Sequence, residues 1–87
     1  MQLPPMQKST FTREYRAFLE TLKDGRLKAE LSQIELAAKL AQSQSFVSKC
    51  ERGETRVDIV QLRVFCRAFG ITLPAFVAQF EERLKRK

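Results

Sequence analysis

Residues 42–54 read QSQSFVSKCERGE, a polar stretch set between two richly apolar ones. Its clear apolar side chains are Phe46, Val47 and Cys50. Such a segment can bury little, so its polar side chains need another reason to be there. It holds no histidine, no glycine-rich loop and no metal-ligand spacing, which removes the usual catalytic explanations. At 3.6 residues per turn, Val47, Cys50 and Glu51 gather on one side. Gln44, Ser45, Ser48, Lys49 and Arg52 spread over the other. The pattern predicts a helix held by a thin inner stripe, with most of its surface turned toward something wet and polar.

The boundaries of that helix fix its neighbours. Ser43 can cap its start, and Gly53 stands just past its end at Arg52. Upstream, Ser32 opens another helix with Glu35 three residues on, a capping box. Ile34, Leu36, Ala37 and Leu40 form the predicted inner face, and the break falls at Ala41 to Ser43. Downstream, Asp58 caps a helix with Gln61 as box partner. Ile59, Leu62, Phe65, Cys66 and Phe69 should point inward before Gly70 stops it. Thr72 caps a fifth helix, with Pro74 tolerated in its first turn and with Leu73, Phe76, Val77, Phe80 and Leu84 on its apolar side. Before all of these, a first helix starts near Thr10 to Thr12 and runs to about Ala29. Tyr15, Phe18, Leu19 and Leu22 form its stripe. Gly25 weakens it by roughly 1 kcal/mol relative to Ala, and only close packing would account for that residue. Residues 1–9, with Pro4 and Pro5, read as a loose lead-in. No run alternates in the manner of a strand. The expectation is an all-α domain over residues 10–87, a compact bundle of five short helices.

Eighty-seven residues suit one domain with a modest core. The chain carries 16 Lys and Arg against 10 Asp and Glu, a net charge of +6. A surplus of this size favours a polyanion, nucleic acid first and an anionic membrane second. No apolar run approaches the ~18 residues that a bilayer span needs. The start MQLPPMQKST lacks the pattern of a signal peptide. A cytoplasmic protein with Cys50 and Cys66 as buried thiols is expected, without a membrane role. With no histidine and two separated cysteines, neither a metal nor another cofactor is expected.

Two helices joined by a break of about three residues, the second polar and basic, match a helix-turn-helix over about residues 32–52. In that motif the second helix enters the DNA major groove, which is wide enough for one helix. The alternative is a solvated surface helix. Such helices are usually rich in Glu, Lys and Ala. This one offers Gln, Ser, Lys and Arg, with no carboxylate on its outer face before Glu54. Amides and hydroxyls read base edges, whereas carboxylates repel phosphates.

The segments LSQIELAAKL, QSFVSKCERGE, DIVQL and AFGI together resemble the Xre type of helix-turn-helix, the type of Cro and the phage lambda repressor. The similarity covers roughly residues 22–77. It implies a lambda repressor-like fold and a transcriptional regulator that binds double-stranded DNA, usually as a homodimer on a two-fold operator. It also implies roles. Gln44, Ser45 and Lys49 occupy base-reading positions. Gln33 opens the second helix where relatives touch a phosphate. Ser43, Ser48, Arg52, Thr55 and Arg56 are placed to meet the DNA backbone. Arg26 and Glu51 match an ion pair that ties the first helix to the recognition helix. Ala37 matches a small residue at the helix crossing. Two positions depart from the pattern. Ala41 stands where glycine is frequent, at a cost of about 1 kcal/mol if it is left-handed. Gln42 stands where an apolar residue is usual.

Blander readings apply elsewhere. Phe46 beside the outer face is expected to pack partly on the fold. Cys50 is expected to be buried, not a redox switch. The basic end EERLKRK complements a helix dipole. The aromatics Phe11, Tyr15 and Phe18 belong to core or interface. A protein-interaction role, such as the antitoxin of a toxin–antitoxin pair with a toxin as partner, is the alternative to a regulator. An enzyme has no nucleophile–base pair to work with. For assembly, Phe76 and Val77 should close the core of one chain. Phe80 and Leu84 would then be left for a dimer interface, unless they fold back on Tyr15 and Phe18.

Overall fold

A computed structural model describes residues 12–86, so the expected lead-in over residues 1–9, and Thr10 and Phe11 with it, lie outside the described residues. Five helices follow one another: α1 (Arg13–Lys28), α2 (Gln33–Leu40), α3 (Gln44–Glu51), α4 (Ile59–Phe69) and α5 (Leu73–Lys85). Each begins at a residue whose short polar side chain accepts a hydrogen bond from a backbone N–H of the first turn. These caps are Thr12, Ser32, Ser43, Asp58 and Thr72. The side chains of Glu35 and Gln61 return the bond to Ser32 and Asp58, completing two capping boxes.

The helix ends are equally local. Behind α2, the Ala41 N–H donates to Ala38 O at 3.2 Å and the Gln42 N–H to Ala37 O at 2.9 Å. This is a Schellman closure, and it sets Ala41 left-handed at φ 55, ψ 42. The same closure recurs behind α4, where Gly70 takes the left-handed position without a Cβ penalty. At the α1–α2 turn the left-handed residue is Glu30.

The core lies where all five helices meet. Leu22, Leu36, Val47, Cys50, Phe65, Cys66 and Phe76 are almost wholly shielded from solvent. Aromatic rings link the layers: Phe18 meets Phe76 edge-on at 5.9 Å, and Phe65 meets Phe69 at 6.2 Å. Gly25 has its reason here. A Cβ on it would lie 2.7 Å from the Phe69 ring, so only a glycine lets α1 and α4 approach this closely. α5 returns to pack along α1, and Arg83 reaches Asp24 at 3.5 Å and Glu20 at 3.7 Å.

Several expected inner residues are not inside. Ile34 is 69% exposed, Ile59 61% and Val77 42%. Ile34 and Ile59 stand in the first turns of α2 and α4. Val77 lies at the edge of the α5 stripe, while Phe76 is the buried residue of that helix and Leu73 packs partly against the core.

Candidate nucleic-acid interface

α2 and α3 cross with their N-terminal ends side by side, and both begin Ser-Gln. That places Gln33 and Gln44, each the first residue of its helix, next to one another. The Gln44 amide donates to Gln33 Oε1 at 2.8 Å. The Gln33 amide in turn donates to Glu51 Oε1 at 3.0 Å. Glu51 is held from behind by Arg26, whose Nε donates to Oε2 at 2.6 Å and whose Nη2 donates to Oε1 at 3.2 Å. The Arg26 and Glu51 side chains are only 9% and 5% exposed. Arg26 spends a further N–H on Leu31 O at 2.9 Å, in the turn between α1 and α2.

One chain of hydrogen bonds therefore runs from the buried α1–α3 contact out to the exposed Gln44. It has a chemical consequence. An amide group has two N–H donors and a carbonyl oxygen. Gln44 is exposed and spends one N–H on Gln33, so its oxygen and second N–H stay unused among the described residues. The periodicity of α3 does not reveal the Gln33–Gln44 contact. The matching Ser-Gln starts of two adjacent helices were its available signal.

Ser45 and Lys49 are exposed on the same side of α3 as Gln44. Ser43 is exposed, and its hydroxyl accepts from the Phe46 N–H at 3.1 Å. Half-buried Ser48 accepts a bond from Arg52 Nη1. Arg52 is also engaged by Glu54, with Nε to Oε2 at 2.8 Å. That hydrogen bond, aided by the charge of Arg52, holds the Glu54 carboxyl below its ordinary range and the Arg52 guanidinium above its own. Exposed pairs of this kind open at little cost, so Arg52 can exchange Glu54 for another anion. Thr55 is half-buried in the loop after α3. Arg56 stacks its guanidinium over the Tyr15 ring at 4.8 Å from the centroid, close to the α1 start.

The inner side of α3 is apolar. Val47 and Cys50 are fully buried. Burial, with the Glu51 charge as a smaller contribution, pushes the Cys50 thiol up, and burial does the same to Cys66. Neither is a ready thiolate. Phe46 is half-buried and lies 6.4 Å from the Phe65 ring, ring to ring. Phe80 and Leu84 are half-buried beside α1. Phe80 shares a surface hollow with Tyr15 and Phe18, and Leu84 shares one with Arg13 and Ala17. Each keeps part of its surface open to solvent beside α1.

Among the described residues no three His, Cys, Asp or Glu side chains gather as a metal site. No single described helix is long and apolar enough to cross a membrane. A helix-turn-helix family model matches residues 22–76. The chain is similar to a solved structure of an XRE-family like protein from Pseudomonas syringae pv. tomato str. DC3000. The two share 40% identity with a TM-score of 0.73, over 79% of this chain and 84% of that one. No curated protein matches. With a capped α2, a three-residue turn and a polar α3 in that order, the chain belongs to the XRE family of helix-turn-helix proteins, a family of DNA-binding regulators.

Proposed function

We propose that this protein is a sequence-specific repressor that binds a double-stranded operator as a dimer, with α3 in the major groove of each half-site. The observation that carries the reading is the amide of Gln44. Its unused oxygen and N–H are the pair that adenine N6 and N7 require. Because Gln33, itself held by Glu51, already holds that amide, little side-chain freedom is lost on binding. Ser45 and Lys49 are the neighbouring base readers, with lysine suited to guanine O6 and N7.

Gln33 keeps one amide N–H, and the start of α2 adds free backbone N–H groups, a favourable place for a phosphate. Ser43, Ser48, Arg52, Thr55 and Arg56 supply the remaining backbone contacts. These position the helix without reading sequence. Two copies related by a two-fold axis would set their α3 helices about 34 Å apart, one turn of duplex. A chain of this size seated on an operator blocks other proteins there, hence repression.

The test compares two variants on the best site and on unrelated duplex. Gln44→Ala should cost ~1–3 kcal/mol on the best site and relax preference at one base pair. Arg56→Ala should weaken every duplex alike and shrink the salt slope by about one. An equal loss on all sequences for Gln44→Ala would sink the base-reading role.

A further inference from the structure

Arg52 and Ser48, both among the proposed contacts to the DNA backbone, are already engaged within the chain. The Arg52 Nε donates to Glu54 Oε2 at 2.8 Å, and its Nη2 donates to Oε1 at 3.3 Å. That is the two-pronged grip with which a guanidinium also takes a phosphate. The same guanidinium donates from Nη1 to the Ser48 hydroxyl. Residues 42–57 hold two carboxylates, Glu51 and Glu54. Glu51 is buried against Arg26, whereas the Glu54 side chain is 54% exposed. The backbone fixes where Glu54 stands. Gly53 is left-handed at φ 80. Its N–H donates to Cys50 O at 3.1 Å, and the Glu54 N–H donates to Lys49 O at 2.9 Å. This closure folds the chain back on the end of α3 and sets Glu54 beside the basic residues there. The Arg52 hydrogen bond and charge, and less strongly the Lys49 charge, hold the Glu54 carboxyl below its ordinary range, so it is ionised at neutral pH.

We propose that Glu54 competes with DNA for Arg52: the carboxylate occupies the guanidinium in the free protein and gives it up to a phosphate when a duplex binds. The inference rests on the operator reading and adds to it a residue that opposes binding. Two effects act in the same direction. A duplex phosphate must displace Glu54 from the Nε–Nη2 edge, or share a guanidinium whose charge is already balanced. The carboxylate also repels the phosphates that approach Lys49 and Arg52. Exposed pairs are weak, so Glu54 lowers affinity without blocking it. The opposite assignment is that Glu54 orients Arg52 toward the backbone. Ser48 argues against it, because it lies one helical turn before Arg52 and already anchors the guanidinium through Nη1. Phosphates are alike at every site, so Glu54 sets how tightly the protein binds and not which sequence it prefers.

Glu54→Gln keeps the shape of the side chain, removes its charge and tests the competition. Titration of the full chain against the best site and against unrelated duplex should show both bound roughly three- to tenfold more tightly. The salt slope should steepen by about one, and the circular dichroism should stay that of wild type. Arg52→Ala removes the cation over which the two anions compete, and beside it Glu54→Gln should gain only about twofold or less. Glu82→Gln makes the same change of net charge in the hollow that Glu82 shares with Lys28 and Arg86, and should leave both affinities within about twofold of wild type. Unchanged or weaker binding by Glu54→Gln overturns the proposal. So does an equal gain from Glu82→Gln, or an undiminished gain beside Arg52→Ala. In each of these cases wild type still binds its best site and the operator reading stands, whereas a wild type that binds no duplex sinks both.

Discussion

α3 and α4 are neighbours in the chain, and both turn a face to solvent, but the two faces are built by opposite rules. α3 has eight residues and buries two, Val47 and Cys50. Its exposed side is amide, hydroxyl and cation, and its leading glutamine is fixed by a hydrogen-bond chain from the interior. α4 has eleven residues and buries four, Leu62, Phe65, Cys66 and Phe69. Its exposed side sets Ile59, Val60 and Val64 among the exposed arginines Arg63 and Arg67. A polar face with directed donors and acceptors suits a nucleic acid, where hydrogen bonds carry the selectivity. An apolar face suits a protein surface that can desolvate it. The difference teaches that exposure alone does not define a site. What the exposed atoms can exchange with a partner does.

The comparison breaks most severely at Glu51, which holds α3 to the rest of the fold. Glu51→Ala removes one side of a buried pair and strands Arg26. The expected loss is ~3–5 kcal/mol of stability, a fall in melting temperature on the order of 15 °C or more for a domain of this size. Thermal unfolding without DNA measures it. An unchanged melting temperature would mean that α3 is held by Val47 and Cys50 alone. The next effect in size is the base-specific loss of Gln44→Ala described above, which removes a reading group and should leave the melting temperature close to wild type.

A smaller change sharpens the picture at the turn between α2 and α3. Ala41 occupies the left-handed position that Gly70 occupies behind α4. Ala41→Gly should relieve that strain and add about 1 kcal/mol, raising the melting temperature by roughly 4–8 °C. A fall instead would show that the Ala41 methyl contributes packing that outweighs its backbone cost.

Much of the fold was legible in the sequence because helix boundaries are local chemistry. Ser32, Ser43, Asp58 and Thr72 act on N–H groups three residues away, so the residue types alone announce the starts. Gly70 announces a stop for the same reason. Side-chain periodicity is a weaker guide at the margins of a stripe. It grouped Ile34, Ile59 and Val77 with the core, but it cannot tell how far the neighbouring helix extends. It also cannot tell whether an apolar stripe faces its own chain or another, and Phe80 and Leu84, half-buried beside α1, show that one side chain can do part of each. In the site, the outer face of α3 could be read from its residue types. The Gln33–Gln44 contact spans eleven residues and depends on how α2 and α3 cross, which no local pattern reports.

The central claim is that α3 reads base edges through Gln44. Selection of bound sites from random duplex DNA, run in parallel with wild type and Gln44→Ala, tests it most directly. The account predicts an inverted repeat with half-site centres about 10–10.5 base pairs apart, and an adenine in each half-site whose enrichment disappears in the variant. No enriched sequence for wild type, or an identical enriched sequence for both proteins, would contradict it.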